Sequence, residues 1–360
     1  MGIKGLHQII KKYAEDVYIQ KHLSEYAYKR IAIDISLYLF KYKAIFRERW
    51  ISAFISLISC FRKNDIHCVF IFDGKAPKEK EEERRARAES RDKLENKVEE
   101  IEHDIEEFER SGEISELLQK VWTENKSSGP PRLLGGSSQG FSIKIVKEYL
   151  DRIKGQVIRI TEDDFVKARE LFDLLQVPYI KAEGEAESFA SHLCVRGLVD
   201  AVASEDTDVL AYGTPIFVTK INTSDETCVE INYSELLERM GLTPEMFTDL
   251  CIMCGTDYNT NIRGIGPDKA LKLLVDHGSI EEISQIIDPK TGEAKFDISC
   301  LKHERVRELF SVPEKLEVRI PYCGKPDFAK LRKWIWSQGI RYNVESIISS
   351  FQPREMVFDD

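Results

Sequence analysis

Two short apolar runs near the start of the chain are separated by a stretch with helical spacing. Residues 30–36 (RIAIDIS) and 67–73 (HCVFIFD) each carry an aspartate at or near their end. Runs of this length, bounded by turn residues, are typical of buried strands of a parallel sheet. Residues 37–62 between them place apolar side chains on one helical face, so we predict a β-α-β unit with a right-handed crossover.

The same alternation returns after residue 160. The pattern predicts a helix over 161–176 capped by Thr161, a strand at 177–182, a helix opened by EGEAES, and a strand at 199–204. Residues 214–221 and 227–231 are typical of a β-hairpin. Residues 233–310 are predicted to be mostly helical with a break at IRGIGP, followed by helices near 327–337 and 343–351. The expected fold is α/β, with a mixed, mainly parallel sheet flanked by helices in one core domain over residues 1–350.

Charged residues dominate the segment between these two parts. Residues 75–97 interleave lysine and arginine with glutamate, 99–116 are mostly acidic, and 127–140 are rich in glycine, serine and proline. We predict a solvated helical insertion over 74–160 with a flexible tip. The insertion leaves directly from the strand that ends at Asp73.

Acidic residues recur where the predicted strands and loops end. They are Asp34, Asp73, Glu185, Glu187, Asp206, Asp208 and Asp257. Because the carboxyl ends of parallel strands line one crevice, we expect these side chains to converge. Two unit charges ~4 Å apart cost about 4 kcal/mol at an effective dielectric near 20, so such a cluster requires cations. Taken singly, each residue is more often a turn former or a helix cap.

The expected cation is Mg²⁺, which prefers oxygen ligands and binds phosphate. Two ions about 4 Å apart activate a water and stabilise the leaving oxygen of an in-line displacement at phosphorus, and Mn²⁺ is expected to substitute. We assign one ion mainly to Asp73, Glu185 and Glu187. The other is assigned to Asp206, Asp208 and Asp257, with Asp34 acting through water.

Composition narrows the class of protein further. The chain has 360 residues and a formal charge of -10. Its net charge therefore does not indicate the basic surface that is usual in nucleic-acid-binding proteins. No apolar run reaches the ~18 residues of a membrane span, and the N-terminus lacks the apolar core of a signal peptide. The eight cysteines are scattered through apolar stretches, as in proteins with reduced thiols, and Cys251 and Cys254 are expected to pack in the core.

Several motifs together resemble the flap endonuclease branch of the XPG-type structure-specific nucleases. They are MGIKGL, AIDIS, VFIFDGKAP, EGEAES, SEDTDVLAYG and CGTDYNTNIRGIGPDKA, in order from the N-terminus to about residue 285, with 99–160 outside the match. The glutamate pair in EGEAE resembles flap endonucleases more than the exonuclease or Holliday-junction members.

The resemblance implies a PIN-like nuclease core, with 74–160 as a helical arch and a helix–two-turn–helix element within 233–310. It implies a 5′-flap endonuclease with 5′–3′ exonuclease activity that acts in replication and repair, with all seven carboxylates as metal ligands and catalytic groups. Lys80 and Arg87 would reach over the site and hold the scissile phosphate, against the plain alternative of solvated surface charges. The further DNA contacts implied are Gly2, Phe40, Arg47, Arg263, Gly264, Gly266 and Lys269, and a potassium ion would bind the 262–270 carbonyls.

The chain also departs from the family pattern. The interval from Asp73 to Glu185 is about forty residues longer than usual, and Asp268 stands where a basic residue is common. The C-terminus shows neither a sliding-clamp-binding box nor a basic tail. We therefore expect a monomer that binds branched DNA with a 5′ flap, without a membrane and without a readable clamp contact. The family implies the nucleus, with a cytoplasmic replication site as the alternative.

Other functions stay open at this point. A related 5′ exonuclease or junction resolvase would share the motifs. A non-catalytic scaffold for DNA junctions would be expected to lack some of the acids. A metal phosphatase or an RNase of the same α/β type would leave the glycine-rich element and the charged insertion without a role.

Overall fold

One seven-stranded mixed sheet organises the chain. The computed structural model describes residues 2–126, 140–313 and 316–352. The strands run in the order β1-β7-β6-β5-β2-β3-β4. They are β1 (Ile19–His22), β2 (Arg30–Asp34), β3 (His67–Phe72), β4 (Tyr179–Lys181), β5 (Ala201–Ala203), β6 (Ile216–Asn222) and β7 (Thr227–Asn232).

The central strands are parallel, as their apolar sequences predict. β2 lies between β3 and β5, and Ile33 pairs with Phe70 on one side and with Ala203 on the other. β4 extends the parallel part beyond β3, and β6 extends it beyond β5. The predicted hairpin is confirmed, because β6 and β7 pair antiparallel, and β1 adds an antiparallel edge.

Helices cover both faces of the sheet. Their bounds are α1 (Leu6–Tyr13), α2 (Ile35–Phe46), α3 (Trp50–Lys63), α4 (Glu81–Ser111), α5 (Glu116–Asn125), α6 (Ile143–Lys154), α7 (Glu162–Leu175), α8 (Ala186–Val195), α9 (Tyr233–Met240), α10 (Pro244–Cys254), α11 (Pro267–His277), α12 (Ile280–Ser284), α13 (His303–Phe310) and α14 (Phe328–Ser337). α2, α3, α7 and α14 pack on one face with Ile31 and Ile33 of β2. α1 and α8 to α13 pack on the other face with Ala32. The mixed, mainly parallel α/β prediction is confirmed.

The insertion has a small core of its own. α4 is a 31-residue helix, and its Ile101 and Ile105 pack against α5 and α6. Trp122 of α5 and Leu150 of α6 complete the cluster. The prediction of a solvated helical insertion did not include this core. The predicted glycine- and serine-rich tip lies almost entirely in 127–139, outside the described residues.

The C-terminal part of the chain is helical where this was predicted. The predicted helix near 343–351 is the 3₁₀ helix Val344–Phe351. The C-terminal residues in which a clamp-binding box was sought, 353–360, lie outside the described part. Within the described residues, the structure contains no helix that combines the length and apolar character of a membrane span.

Candidate active site

The sheet brings the strand-end acids to one edge. Asp34 is the last residue of β2 and Asp73 directly follows β3. Glu185 lies four residues after β4 and caps the start of α8, and Asp206 follows β5. Because β5, β2, β3 and β4 are neighbours and parallel, their carboxyl ends open on the same side. This is the crevice that the sequence predicts.

A cavity of about 450 Å³ lies at this edge. Six of the seven predicted carboxylates line it: Asp34, Asp73, Glu185, Glu187, Asp206 and Asp257, the last from the loop between α10 and α11. Asp208 is buried beside them, with a carboxylate oxygen close to those of Glu187 and Asp206. The structure therefore brings all seven residues together, across more than two hundred positions of sequence.

Three of these carboxylates form the tightest group in the described part of the chain. One oxygen each of Glu187, Asp206 and Asp208 lies within 4.8 Å of the others. The sequence assigned Glu187 to the ion held by Asp73 and Glu185, whereas the fold places it with the two aspartates. Glu187 lies in the first turn of α8, which begins at Ala186.

Burial makes the negative charges costly. It raises the pKa of Asp34 to about 7, and the neighbouring Asp73 carboxylate adds to the rise. Burial also raises the pKa of Glu187 and of Asp208 well above their ordinary values, with Asp208 adding to the effect on Glu187 and Asp206 to that on Asp208. These side chains offer only oxygen atoms as ligands, and their ionised carboxylates have too little positive charge nearby. Such a set of ligands fits a hard divalent cation.

Lys80 supplies part of the missing counter-charge. Its Nζ lies 2.5 Å from Glu185 Oε1, 3.0 Å from Asp257 Oδ2 and 3.7 Å from Glu187 Oε1. Burial would lower the pKa of this lysine, but the charges of Glu187, Glu185 and Asp257 outweigh burial and raise it. Lys80 ends the 3₁₀ turn Lys78–Lys80, which leads directly into α4.

Two arginines of α4 extend this positive side of the cavity. Arg87 Nη2 donates to both carboxylate oxygens of Asp257, at 2.8 and 2.9 Å. Arg91, one turn further on, also lines the cavity, and its buried Nε has no hydrogen-bond partner among the described residues. Sequence reasoning missed Arg91, although its spacing of four from Arg87 on a helix was a usable signal.

Neighbouring polar groups hold the carboxylates in place. Asp73 accepts hydrogen bonds from Ser36 Oγ at 2.6 Å and from the Ala186 backbone N–H at 2.9 Å. Tyr258 donates its hydroxyl to Glu185 Oε2 at 2.6 Å. Ser36 and Tyr258 were not among the predicted site residues, although each follows a predicted ligand by one or two residues.

The N-terminal segment closes one side of the acidic group. The Ile3 backbone N–H donates to Asp208 Oδ1 at 2.5 Å. Gly2 has a φ of +96°, and a Cβ there would lie 2.1 Å from Asp206 Oδ1 and 2.8 Å from Asp208 Oδ1. Glycine is thus required by the acids themselves. The resemblance had implied only a DNA contact at Gly2.

The two predicted DNA contacts near α2 lie in different surroundings. Phe40 is half-buried and lines the cavity beside Asp34. Arg47 is exposed at the corner between α2 and α3, with Nη2 3.9 Å from Asp151 Oδ1 of the insertion. Only Phe40 therefore lies beside the carboxylates.

The glycine-rich element forms a turn at the start of α11. Gly264 has a φ of +78°, and a Cβ at Gly264 or Gly266 would meet nothing within 4 Å, so their backbone faces open space. Arg263 and Lys269 are exposed, and Lys269 Nζ donates to the Gly264 carbonyl at 3.0 Å. That carbonyl is one of those expected to face potassium.

Asp268, the acidic departure in this turn, has partners in the structure. Its Oδ1 accepts hydrogen bonds from Lys12 Nζ at 2.5 Å and from the Tyr13 hydroxyl at 2.9 Å. It therefore joins α11 to α1, and its charge is balanced by a lysine.

Comparisons with known proteins agree with this geometry. The chain matches the model of the XPG N-terminal domain over residues 1–94 and that of the XPG I-region over 176–257. It is 34% identical over 356 residues to Probable RAD2-like endonuclease 076L of Invertebrate iridescent virus 3, covering 92% of this chain and 89% of the relative. It is 28% identical over 334 residues to Flap endonuclease 1 of Ostreococcus lucimarinus, covering 88% and 75%. The solved catalytic core of Rad2 in complex with DNA substrate shares the fold, with a TM-score of 0.64 at 19% identity over 96% of this chain and 97% of that one.

Proposed function

This chain belongs to the XPG family of structure-specific nucleases, and from that premise we propose that it is a Mg²⁺-dependent endonuclease that cuts branched DNA at a 5′ flap. The observation that carries the proposal is the cavity that six carboxylates line together with Lys80 and Arg87, with Asp208 buried beside it. The flap substrate is supported by relatives named Flap endonuclease 1.

The proposed metal ligands are the seven carboxylates. When bound, two divalent cations would make a water molecule more acidic and stabilise the charge that develops on the leaving oxygen of the phosphodiester. Mg²⁺ suits a set of oxygen ligands, and Mn²⁺ accepts the same ligands. Glu187, Asp206 and Asp208 are proposed to contribute most to affinity, because one oxygen of each already lies within 4.8 Å of the others.

The chain's own cations are proposed to position the substrate. Lys80 remains charged in the cavity, because the surrounding carboxylates raise its pKa. Arg87 contacts Asp257 through both carboxylate oxygens, and a guanidinium that binds a carboxylate in this way can also bind a phosphate. Both side chains would bind the scissile phosphate over the acids. Tyr258 would keep Glu185 oriented through its hydroxyl.

The duplex is proposed to lie across the turn at the start of α11. Arg263 and Lys269 are exposed there, and the open backbone at Gly264 and Gly266 allows close approach of a phosphate or of a potassium ion. Phe40 would stack on a base at the cavity, Arg47 would contact the backbone further out, and Gly2 would keep the N-terminal segment beside the acids. We further propose that the chain acts as a monomer in replication and repair, in the nucleus, with 5′–3′ exonuclease action on the same site.

A cleavage assay with matched substrates tests this function. Purified protein is incubated with 5′-flap DNA, blunt duplex, a four-way junction and single-stranded RNA, with Mg²⁺ or with EDTA. We expect cleavage near the base of the flap when Mg²⁺ is present and none in EDTA. The blunt duplex should be shortened from its 5′ end more slowly. Symmetric cutting of the junction would indicate a resolvase, and cutting of RNA alone would indicate an RNase. Binding of all DNA substrates without cleavage would indicate a scaffold and refute the proposal.

A further inference from the structure

Two buried tyrosines, Tyr212 and Tyr258, connect the core of the protein to one carboxylate of the site. Tyr212 follows the 3₁₀ turn Thr207–Leu210, and its hydroxyl oxygen lies 3.0 Å from that of Tyr258. Tyr258 in turn donates its hydroxyl to Glu185 Oε2 at 2.6 Å. Tyr212 is 3% exposed and Tyr258 6%, so water hardly competes for either hydroxyl. Tyr212 therefore lies two hydrogen bonds away from a proposed metal ligand. We call these two residues the tyrosine pair.

The number of available protons fixes the direction of both hydrogen bonds. Lys80 Nζ contacts Glu185 Oε1 at 2.5 Å, which pairs the lysine with an ionised carboxylate, and an ionised carboxylate only accepts hydrogen bonds. Tyr258 has one hydroxyl proton and gives it to Glu185, so its oxygen must accept in the contact with Tyr212. Burial raises the pKa of Tyr212 well above its ordinary value, which keeps this hydroxyl protonated. Tyr212 is thus the first donor of the series.

Aromatic packing holds both hydroxyls in position. The Tyr212 ring meets His192 and Phe310 edge to face, with ring centroids 5.8 and 5.0 Å apart. The Phe310 ring also lies 5.7 Å from the ring of Tyr258, so one phenylalanine contacts both tyrosines. Close packing restricts the movement of the two rings and therefore of the hydroxyls that they carry. The tyrosine pair is a rigid support for the Glu185 carboxylate.

The two oxygens of Glu185 have partners of different kinds. Oε2 accepts from the neutral hydroxyl of Tyr258, whereas Oε1 contacts the charged amine of Lys80. A divalent cation repels an ammonium group but not a neutral hydroxyl, so Oε1 is the oxygen that Glu185 can offer to a cation. Hydrogen bonds in series polarise one another, so the donation from Tyr212 strengthens the bond by which Tyr258 holds Oε2.

We propose that Tyr212 is a positioning residue that acts through Tyr258 to hold Glu185 for metal binding. This role rests on the proposed function, in which Glu185 is a metal ligand. Removing a hydrogen-bond partner of a metal ligand costs about 10–100-fold in metal affinity, and Tyr258→Phe should fall in this range. Tyr212→Phe acts one hydrogen bond further away, so its effect on Mg²⁺ affinity should lie near the lower end, about tenfold.

Isothermal titration of the free protein with Mg²⁺ measures these affinities. Tyr212→Phe, Tyr258→Phe and the double variant all keep the rings, and melting in EDTA verifies that each variant is folded. Because the two hydroxyls act in series, the double variant should bind Mg²⁺ as weakly as Tyr258→Phe alone. Tyr26→Phe is the matched control, since Tyr26 is also buried and donates to a buried glutamate, Glu230, while neither residue lines the carboxylate cavity. It should lose stability with unchanged Mg²⁺ affinity.

Flap cleavage, measured in parallel, separates the role of Tyr212 from the proposed function. If the unaltered chain binds Mg²⁺ but cuts no DNA, the proposed function fails, while the Mg²⁺ affinities still decide the role of Tyr212. Unchanged affinity in Tyr212→Phe or in Tyr258→Phe, an additive loss in the double variant, or an equal loss in Tyr26→Phe would each show that Tyr212 does not position Glu185. An unaltered chain that binds no Mg²⁺ would overturn both.

Discussion

Lys80 is expected to be the counter-charge that lets the acidic cavity exist without metal ions. The change Lys80→Met keeps most of the apolar stem and removes the amine that contacts Glu185, Asp257 and Glu187. In the absence of divalent cations, the carboxylates would then remain buried with less positive charge nearby. The folded state should be destabilised for this reason and not through lost packing.

The size of the effect follows from the burial of the pair. The Lys80 side chain is 12% exposed and that of Glu185 11%, so the contact is largely screened from water. Removing one partner of a buried ion pair costs about 3–5 kcal/mol. With about 2.1 cal/mol/K of unfolding entropy per residue, a chain of 360 residues gives about 0.76 kcal/mol per kelvin. The melting temperature in EDTA should therefore fall by about 4–7 °C.

Scanning calorimetry in EDTA and in excess Mg²⁺ measures this difference. In Mg²⁺ the deficit should shrink to a small fraction of its value in EDTA, because divalent cations then neutralise the same carboxylates. Lys78→Met is the matched control, since Lys78 lies in the same 3₁₀ turn but is exposed. An equal deficit in both conditions, or none in EDTA, would refute the role of Lys80 as counter-charge.

Four further outcomes are expected. Asp208→Asn should abolish cleavage while flap-DNA binding stays measurable in a gel shift, and near-normal turnover would contradict its role as a ligand. Arg87→Ala should slow single-turnover cleavage at saturating enzyme by about 10²–10³-fold, with a smaller loss of DNA binding. The control Arg85→Ala, which removes a 73% exposed side chain, should leave the cleavage rate unchanged. A loss of binding larger than the loss of cleavage rate in Arg87→Ala would show that Arg87 is only a surface charge. In EDTA, stability to urea should fall as pH rises from about 4 toward 7, because Asp34, whose pKa is raised to about 7, and Glu187 and Asp208, whose pKa values are also raised, bind more protons folded than unfolded in that window; an Asp34→Asn variant with an unreduced slope would contradict the share assigned to Asp34. Gly2→Ala should weaken Mg²⁺ binding measured by calorimetry, because the new Cβ would lie 2.1 Å from Asp206 Oδ1 and must displace it. An unchanged affinity for Mg²⁺ would contradict the close fit of Gly2 to the acids.

The convergence of the strand-end acids could be predicted from sequence, because the carboxyl ends of neighbouring parallel strands lie at the same edge of a sheet. Asp34, Asp73 and Asp206 each end or follow an apolar run, and parallel neighbours carry such positions to one edge. Asp257 follows a helix, and no periodicity places it at that edge. Its place in the cavity was expected only together with the other acids and from the motif that contains it.

The core of the insertion could not be read from composition, although a periodic signal was present. In α4 the apolar residues Leu94, Val98, Ile101, Ile105 and Phe108 recur at intervals of three and four. Because charged residues surround them, the average hydrophobicity is low and suggests a solvated helix. Their packing partners come from α5 and α6, which are separated from α4 by turns and by residues outside the described part.

The position of Lys80 over the acids was expected only from the family resemblance, and its contacts with Glu185 and Asp257 link the arch to the cavity by charge. The start of α4 is held over the site because Lys80 and Arg87 contact carboxylates that are expected to bind metal ions. If divalent cations neutralise those carboxylates, Lys80 loses its contacts with them, whereas Arg87 keeps its contact with Glu83. The segment before α4 stays bonded to the loop before α8, because the Gly74 and Lys75 N–H groups donate to the carbonyls of Gly184 and Glu183. A cation left without a partner in a partly buried cavity is unfavourable, and an anion relieves it. The phosphodiester of the substrate is such an anion, so the affinity of the cavity for DNA should depend on the same charge balance as its affinity for metal.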